Sequence, residues 1–161
     1  MKRVLTGCIL SSFLLLSIFN AAVQAATVTV KGTVVRPSCN LNNGNAINVA
    51  FGDVVISKID GQAYKKLPLL YSLTCENPND KLQFSISGTA APFGSGLLTT
   101  SKSGLGIQFM SDNGKLPLNS GIVKFNAGER PALYAVPARN SSVNLATGDF
   151  SATATLSIDY Q

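Results

Sequence analysis

The side chain most often used in acid/base and nucleophilic chemistry is missing from these 161 residues. There is no histidine, which removes the commonest general base, the commonest metal ligand, and the Ser-His-Asp and Cys-His nucleophile pairs together. Asp53, Asp60, Glu76 and Asp80 have no metal-loop spacing, and Asp149 and Asp159 are too isolated for an acid/base pair. The chain has no tryptophan and only 7% aromatic residues, poor material for stacking a sugar. Basic residues are scattered, with Lys65 and Lys66 the only adjacent pair after Lys2 and Arg3, whereas nucleic-acid binding needs a clustered stripe. No catalytic, cofactor or metal set emerges, and neither a nucleic acid nor a small-molecule substrate is expected. The one reaction left is between cysteines. Of Cys8, Cys39 and Cys75, the first falls in an N-terminal targeting segment and leaves a pair. In an exported chain, two cysteines most simply form one disulfide. Closing the loop from 39 to 75 would contribute about 4 kcal/mol by the chain-entropy model. The rival, a reactive thiol, lacks a histidine, a CxxC or another activator.

The targeting segment is residues 1–25. Lys2 and Arg3 precede an uncharged apolar run over residues 4–19, and Val23 and Ala25 supply small residues for cleavage before Ala26. This is the pattern of a secretory signal peptide; the run is short for a membrane anchor. Leu5-Thr6-Gly7-Cys8 comes too early for a lipoprotein box. No second apolar run of about 20 residues follows.

After the signal, period-2 alternation replaces any 3.6-residue pattern. It predicts strands over 27–34, over 47–56 (interrupted at Gly52-Asp53), over 67–75 as a run buried on both faces, over 82–86 and over 105–110. Asp112-Asn113-Gly114 is a hairpin turn. A further strand covers 131–136 with Pro137 at its end, and residues 140–147 form a polar loop. The clearest strand is the last, with Phe150, Ala152, Ala154, Leu156, Ile158 and Tyr160 on one face and Ser, Thr and Asp on the other. Many short strands without a helix indicate an all-β antiparallel sandwich.

Two features do not suit a self-sufficient sandwich. The last strand leaves a long apolar edge that monomers avoid. The alternating segment before Arg36-Pro37-Ser38-Cys39 is cut off from the rest, because proline removes a donor and extends the residue before it. One open edge and one spare strand complement each other between copies.

These elements resemble those of chaperone–usher pilus subunits, the fimbriae of Gram-negative bacteria. The resemblance rests on the signal peptide, the arm over 26–36 with Gly32 among Val28, Val30 and Val34, Cys39 soon after, Cys75 in the next long strand, Gly148 thirteen positions before the C-terminus, and the penultimate Tyr160. It implies an incomplete immunoglobulin-like sandwich over 37–161, lacking its last strand, with 26–36 as an N-terminal donor strand. It also implies partners: a periplasmic chaperone that lends a strand, the outer-membrane usher, and neighbouring subunits whose arms replace the chaperone in a surface pilus used in adhesion. Val28, Val30 and Val34 would enter a neighbour's groove, with Gly32 at a shallow spot. Gly148, Phe150, Ala152, Ala154, Leu156, Ile158 and Tyr160 would line the acceptor groove and bind the chaperone. With the arm directly after the signal there is no room for a receptor-binding domain, and the compact mature chain suggests a minor tip adaptor. The alternatives are a shaft pilin of the same family or a free secreted binding module.

Overall fold

Strands here form wherever an alternating segment finds a neighbour to complete its hydrogen-bond ladder. The computed structural model describes residues 28–34 and 39–161. The expected signal peptide, Cys8, the arm residues 26–27 and 35–36, and Pro37 lie outside the described residues. Eleven strands are assigned among the described residues: β1 (Cys39–Leu41), β2 (Leu67–Pro68), β3 (Leu73–Cys75), β4 (Lys81–Ser87), β5 (Ala90–Ala91), β6 (Gly94–Thr99), β7 (Leu105–Ser111), β8 (Gly114–Leu116), β9 (Ile122–Asn126), β10 (Leu133–Arg139) and β11 (Thr155–Tyr160). Two single 3-10 turns, Asn42–Gly44 and Ile56–Lys58, are the only helical pieces described.

All pairings are antiparallel. One sheet has the order β11-β4-β9; the other is β2-β10-β7-β6-β5, with β8 on β7; β1 and β3 form a separate pair. The two larger sheets share one core. Leu82, Phe84 and Ile86 of β4 and Val123 and Phe125 of β9 meet Leu98 of β6, Ile107 and Phe109 of β7, and Leu133 and Ala135 of β10. Phe84, fully buried, stacks on Phe125 at 4.6 Å between centroids and meets Tyr71 in a T-shaped contact at 5.2 Å. Such aromatic pairs add roughly 0.5–1.5 kcal/mol each beyond their buried area. The all-β sandwich anticipated from alternation is therefore the architecture. The Asp112-Asn113 hairpin also forms, with Ser111 opposite Gly114 and Gly114 at φ +112°, a backbone that a side chain resists.

Several strand expectations need correction. Residues 45–55 contain no strand, although the sequence alternates there, because no neighbour pairs with them. The stretch 67–75 is two short strands, β2 and β3, which belong to different sheets. Leu70 between them is 76% exposed, so the stretch is not buried on both faces. Gly88 to Gly96 is not a simple break, since β5 and the start of β6 lie inside it. The last strand is assigned only from Thr155, leaving the stretch from Phe150 to Ala154 outside any sheet. Pro137 lies within β10 rather than at its end. The carbonyl of Leu133 accepts from Leu69 on the β2 side. By alternation, the ring nitrogen of Pro137 faces that same side, beyond the two residues that β2 pairs. Its missing donor therefore breaks no bond.

Residues 28–34 belong to the first of the chain's two compact units and carry no assigned strand, contrary to the alternating-strand expectation. Val28, Val30 and Val34 are 83%, 88% and 100% exposed. Alternation alone does not make a strand without a partner to receive its backbone groups.

Candidate strand-acceptor groove

Cys39 and Cys75 are directly opposite in the β1–β3 register and are bonded as a disulfide. The bond fixes the start of the first sandwich segment. Tyr160, near the end of β11, brings its hydroxyl within 3.8 Å of the Cys39 sulfur. From there the chain runs through residues 41–55 to a second meeting with the last segment, where the rings of Phe51 and Phe150 are 5.9 Å apart. The first segment therefore runs opposite in direction to residues 150–160. An inserted strand would be parallel to one wall and antiparallel to the other.

Between these walls lies a groove of about 1020 Å³. Its floor is the sandwich core itself: Ile86, Leu98, Leu105, Ile107, Phe109 and Ala135. The first wall is residues 44–54, and the second runs from Leu145 to Leu156. Among the described residues, no backbone hydrogen bond joins residues 47–50 to another segment, and β11 pairs with β4 on one side only. Among the described residues the site thus combines a floor of buried core side chains with a first wall outside any sheet and a second wall that ends in a strand paired on one side only. An added β-strand needs both, a face to pack on and an edge to pair with. Among the described residues no group of three or more His, Cys, Asp or Glu could hold a metal ion.

The walls are fastened at the Phe150 end. On the second wall, Lys102 Nζ donates to the carbonyl of Thr147 at 2.9 Å. Ser101 pairs with Ser151 twice, through its N–H to the Ser151 carbonyl and through its hydroxyl, which accepts from the Ser151 N–H. Gly148 turns this wall with φ +109°, and a Cβ there would come within 3.1 Å of the Lys102 ammonium. Loop side chains likewise fasten the first wall. Tyr64 Oη accepts from the Val55 N–H at 3.0 Å, and Lys65 Nζ donates to the Phe51 carbonyl at 2.9 Å.

Of the residues the sequence singled out, Gly148, Phe150, Ala152, Ala154 and Leu156 line the groove. Phe150, Ala154 and Leu156 are half-buried, whereas Ala152 is exposed at the opening. Ile158 and Tyr160 lie beyond the groove and pack against the core; Ile158 is opposite Phe84 in the β11–β4 register. A Cβ on Gly32 would meet nothing within 4 Å, so its own chain does not require a glycine there. Sequence reasoning missed the first wall as a wall, since residues 47–56 were expected to be strand. It also missed that core residues on β4, β6, β7 and β10 form the floor. The sequence carried no signal for either, because alternation reports the faces of a segment and not its neighbour.

A family model described as fimbrial protein matches residues 28–161. The uncharacterized fimbrial-like protein YfcQ of Escherichia coli K12 is 33% identical over 157 residues, covering 91% of this chain and 96% of its own. The fimbrial adapter PapF of Escherichia coli is 30% identical over 167 residues, covering 94% and 98%. Among solved structures, the P pilus adaptor subunit PapF aligns with a TM-score of 0.58 at 26% identity, over 80% of this chain and 100% of that one. The P pilus rod subunit PapA aligns with a TM-score of 0.59 over 84% and 100%; at 21% identity this likeness is one of fold. With a sandwich open along one groove and a family match spanning both arm and sandwich, the chain belongs to the fimbrial protein family.

Proposed function

We propose that the groove accepts a β-strand from a partner and that residues 26–36 are the strand this chain donates in turn. In this reading residues 1–25 are removed on export, and residues 37–161 fold in the periplasm while a chaperone's strand fills the groove. At the outer-membrane usher, a neighbouring subunit's arm replaces the chaperone, and the chain takes its place in a surface pilus. The function is mechanical linkage rather than catalysis. The observation that carries it is the groove of about 1020 Å³, floored by core side chains between two walls that lack a strand. An arm of about ten residues spans roughly 33 Å, enough to line such an edge. The near full-length similarity to the adapter PapF favours a minor adaptor. A shaft pilin is the second reading, since the rod subunit PapA shares the fold; counting copies of this subunit per pilus separates the two.

The test is complementation. The mature chain, refolded alone, should be easily unfolded or self-associated. Arm peptides, beginning with residues 26–36 of this chain and extending to the arms of co-expressed subunits, should raise its melting temperature steeply. A stable monomer indifferent to every arm peptide would remove the donor-strand reading and favour a free binding module.

A further inference from the structure

The first wall has no sheet to hold it in place. Among the described residues no backbone hydrogen bond joins residues 47–50 to another segment, and Gly52, at φ +58°, interrupts the extended backbone. Two side chains of one loop grip the chain on either side of that glycine, one at Phe51 in the wall and one at Val55 just past its end. The Lys65 ammonium holds the Phe51 carbonyl at 2.9 Å, and the Tyr64 hydroxyl holds the Val55 N–H at 3.0 Å. The loop is itself built to stay still. The Asp60 carboxylate accepts from the N–H groups of Gln62, Ala63 and Tyr64 at 2.8, 2.9 and 3.0 Å. Those bonds hold the Asp60 carboxyl below its ordinary value, keeping it ionised as an acceptor. Ile59 is buried against Leu105 and Leu145 on one side of the loop, and the Lys66 ammonium lies 4.1 Å from the centre of the Tyr134 ring on the other. Lys65 occupies the left-handed region at φ +55°, which an unbranched lysine adopts only at some cost.

We infer that Tyr64 and Lys65 are positioning residues for strand capture: they hold the first wall at the spacing an incoming strand needs, doing the work of the absent strand until it arrives. This rests on the donor-strand reading above. A wall left loose would have to be ordered as the strand binds, and that ordering slows capture. Once the strand is in place its own ladder holds the wall, and the clasp becomes redundant. The signature is therefore kinetic. It falls on capture rather than on the stability of the filled sandwich.

The experiment uses the whole mature chain, refolded and oxidised, with a fluorescent peptide from the arm panel that complements the wild type. Lys65→Met should slow peptide capture by about tenfold and Tyr64→Phe by about threefold, the range of one charge-assisted and one neutral hydrogen bond. Lys65→Arg, which can still donate to the Phe51 carbonyl, should restore most of the rate. Hydrogen exchange at residues 47–55 should be faster in the empty Lys65→Met chain and equal to wild type once the peptide is bound. If capture is unchanged in both variants while the wild type binds peptide, the clasp is structural decoration and the inference fails alone. If both variants destabilise empty and filled forms equally with no change in capture rate, it also fails. If the wild type captures no arm peptide at all, the donor-strand reading fails and takes this inference with it.

Discussion

The arm offers the sharpest separation of folding from assembly, because its valines are exposed. Val30 is 88% exposed, so Val30→Ser should leave the melting temperature of the isolated chain within experimental error. In a filled groove the same side chain would be buried, and full burial of a valine contributes roughly 1.5–3 kcal/mol. The joint made by this arm should therefore weaken by about ten- to a hundredfold in its dissociation constant. Thr29, also exposed and on the opposite face of an extended arm, is the control, and Thr29→Ala should change the joint less than about threefold. The assay is competition. Wild-type and variant peptides of residues 26–36 compete for the groove of an arm-accepting subunit, and differential scanning fluorimetry of the intact variant chain runs in parallel. If Val30→Ser lowers the melting temperature of the lone chain, the arm packs on its own sandwich. If it and Thr29→Ala weaken the joint equally, the valine face is not the face that enters the groove. Either result refutes the reasoning.

Reducing the Cys39–Cys75 bond, or replacing both cysteines by serine, should cost about 4 kcal/mol by the chain-entropy model, read as a lower urea midpoint; unreduced protein should show no alkylatable thiol. Ile158→Lys sets a charge opposite the fully buried Phe84 and should cost several kcal/mol, abolishing folding and strand acceptance together. Thr155→Lys, at an exposed position of the same strand, should be tolerated in circular-dichroism melts. Tyr71 donates to the Pro131 carbonyl at 2.6 Å, and burial pushes its hydroxyl from 10.0 up to about 12. Because the folded value is the higher one, the stability it carries is intact below pH 10 and lost as pH rises towards 12. Denaturant midpoints should fall across that window, and Tyr71→Phe should flatten the fall.

Much of this molecule was legible in its residues. The pairing of Cys39 with Cys75 was readable from an export signal and two remaining cysteines, and the disulfide is present. The alternation of Leu82, Phe84 and Ile86 placed β4, and Asp112-Asn113-Gly114 placed a hairpin, because these are local rules of side-chain period and backbone conformation. The same rule failed over residues 47–56 and at the start of the last strand, for one reason. Period 2 reports which face a segment would bury, and a strand also needs a neighbour for its N–H and C=O groups. A sequence does not show that neighbour. Only the tertiary structure shows that those two alternating segments lie on either side of an unfilled space, with Ile86, Ile107 and Phe109 as its floor. Likewise, only the structure decides that Tyr64 and Lys65 reach back to Val55 and Phe51. Nothing in the order Tyr-Lys-Lys distinguishes a clasp from a solvated loop. Local chemistry in the sequence determined the strands and the hairpin of a fimbrial-family sandwich. Where the groove lies, and which loop side chains meet its first wall, depended on long-range packing.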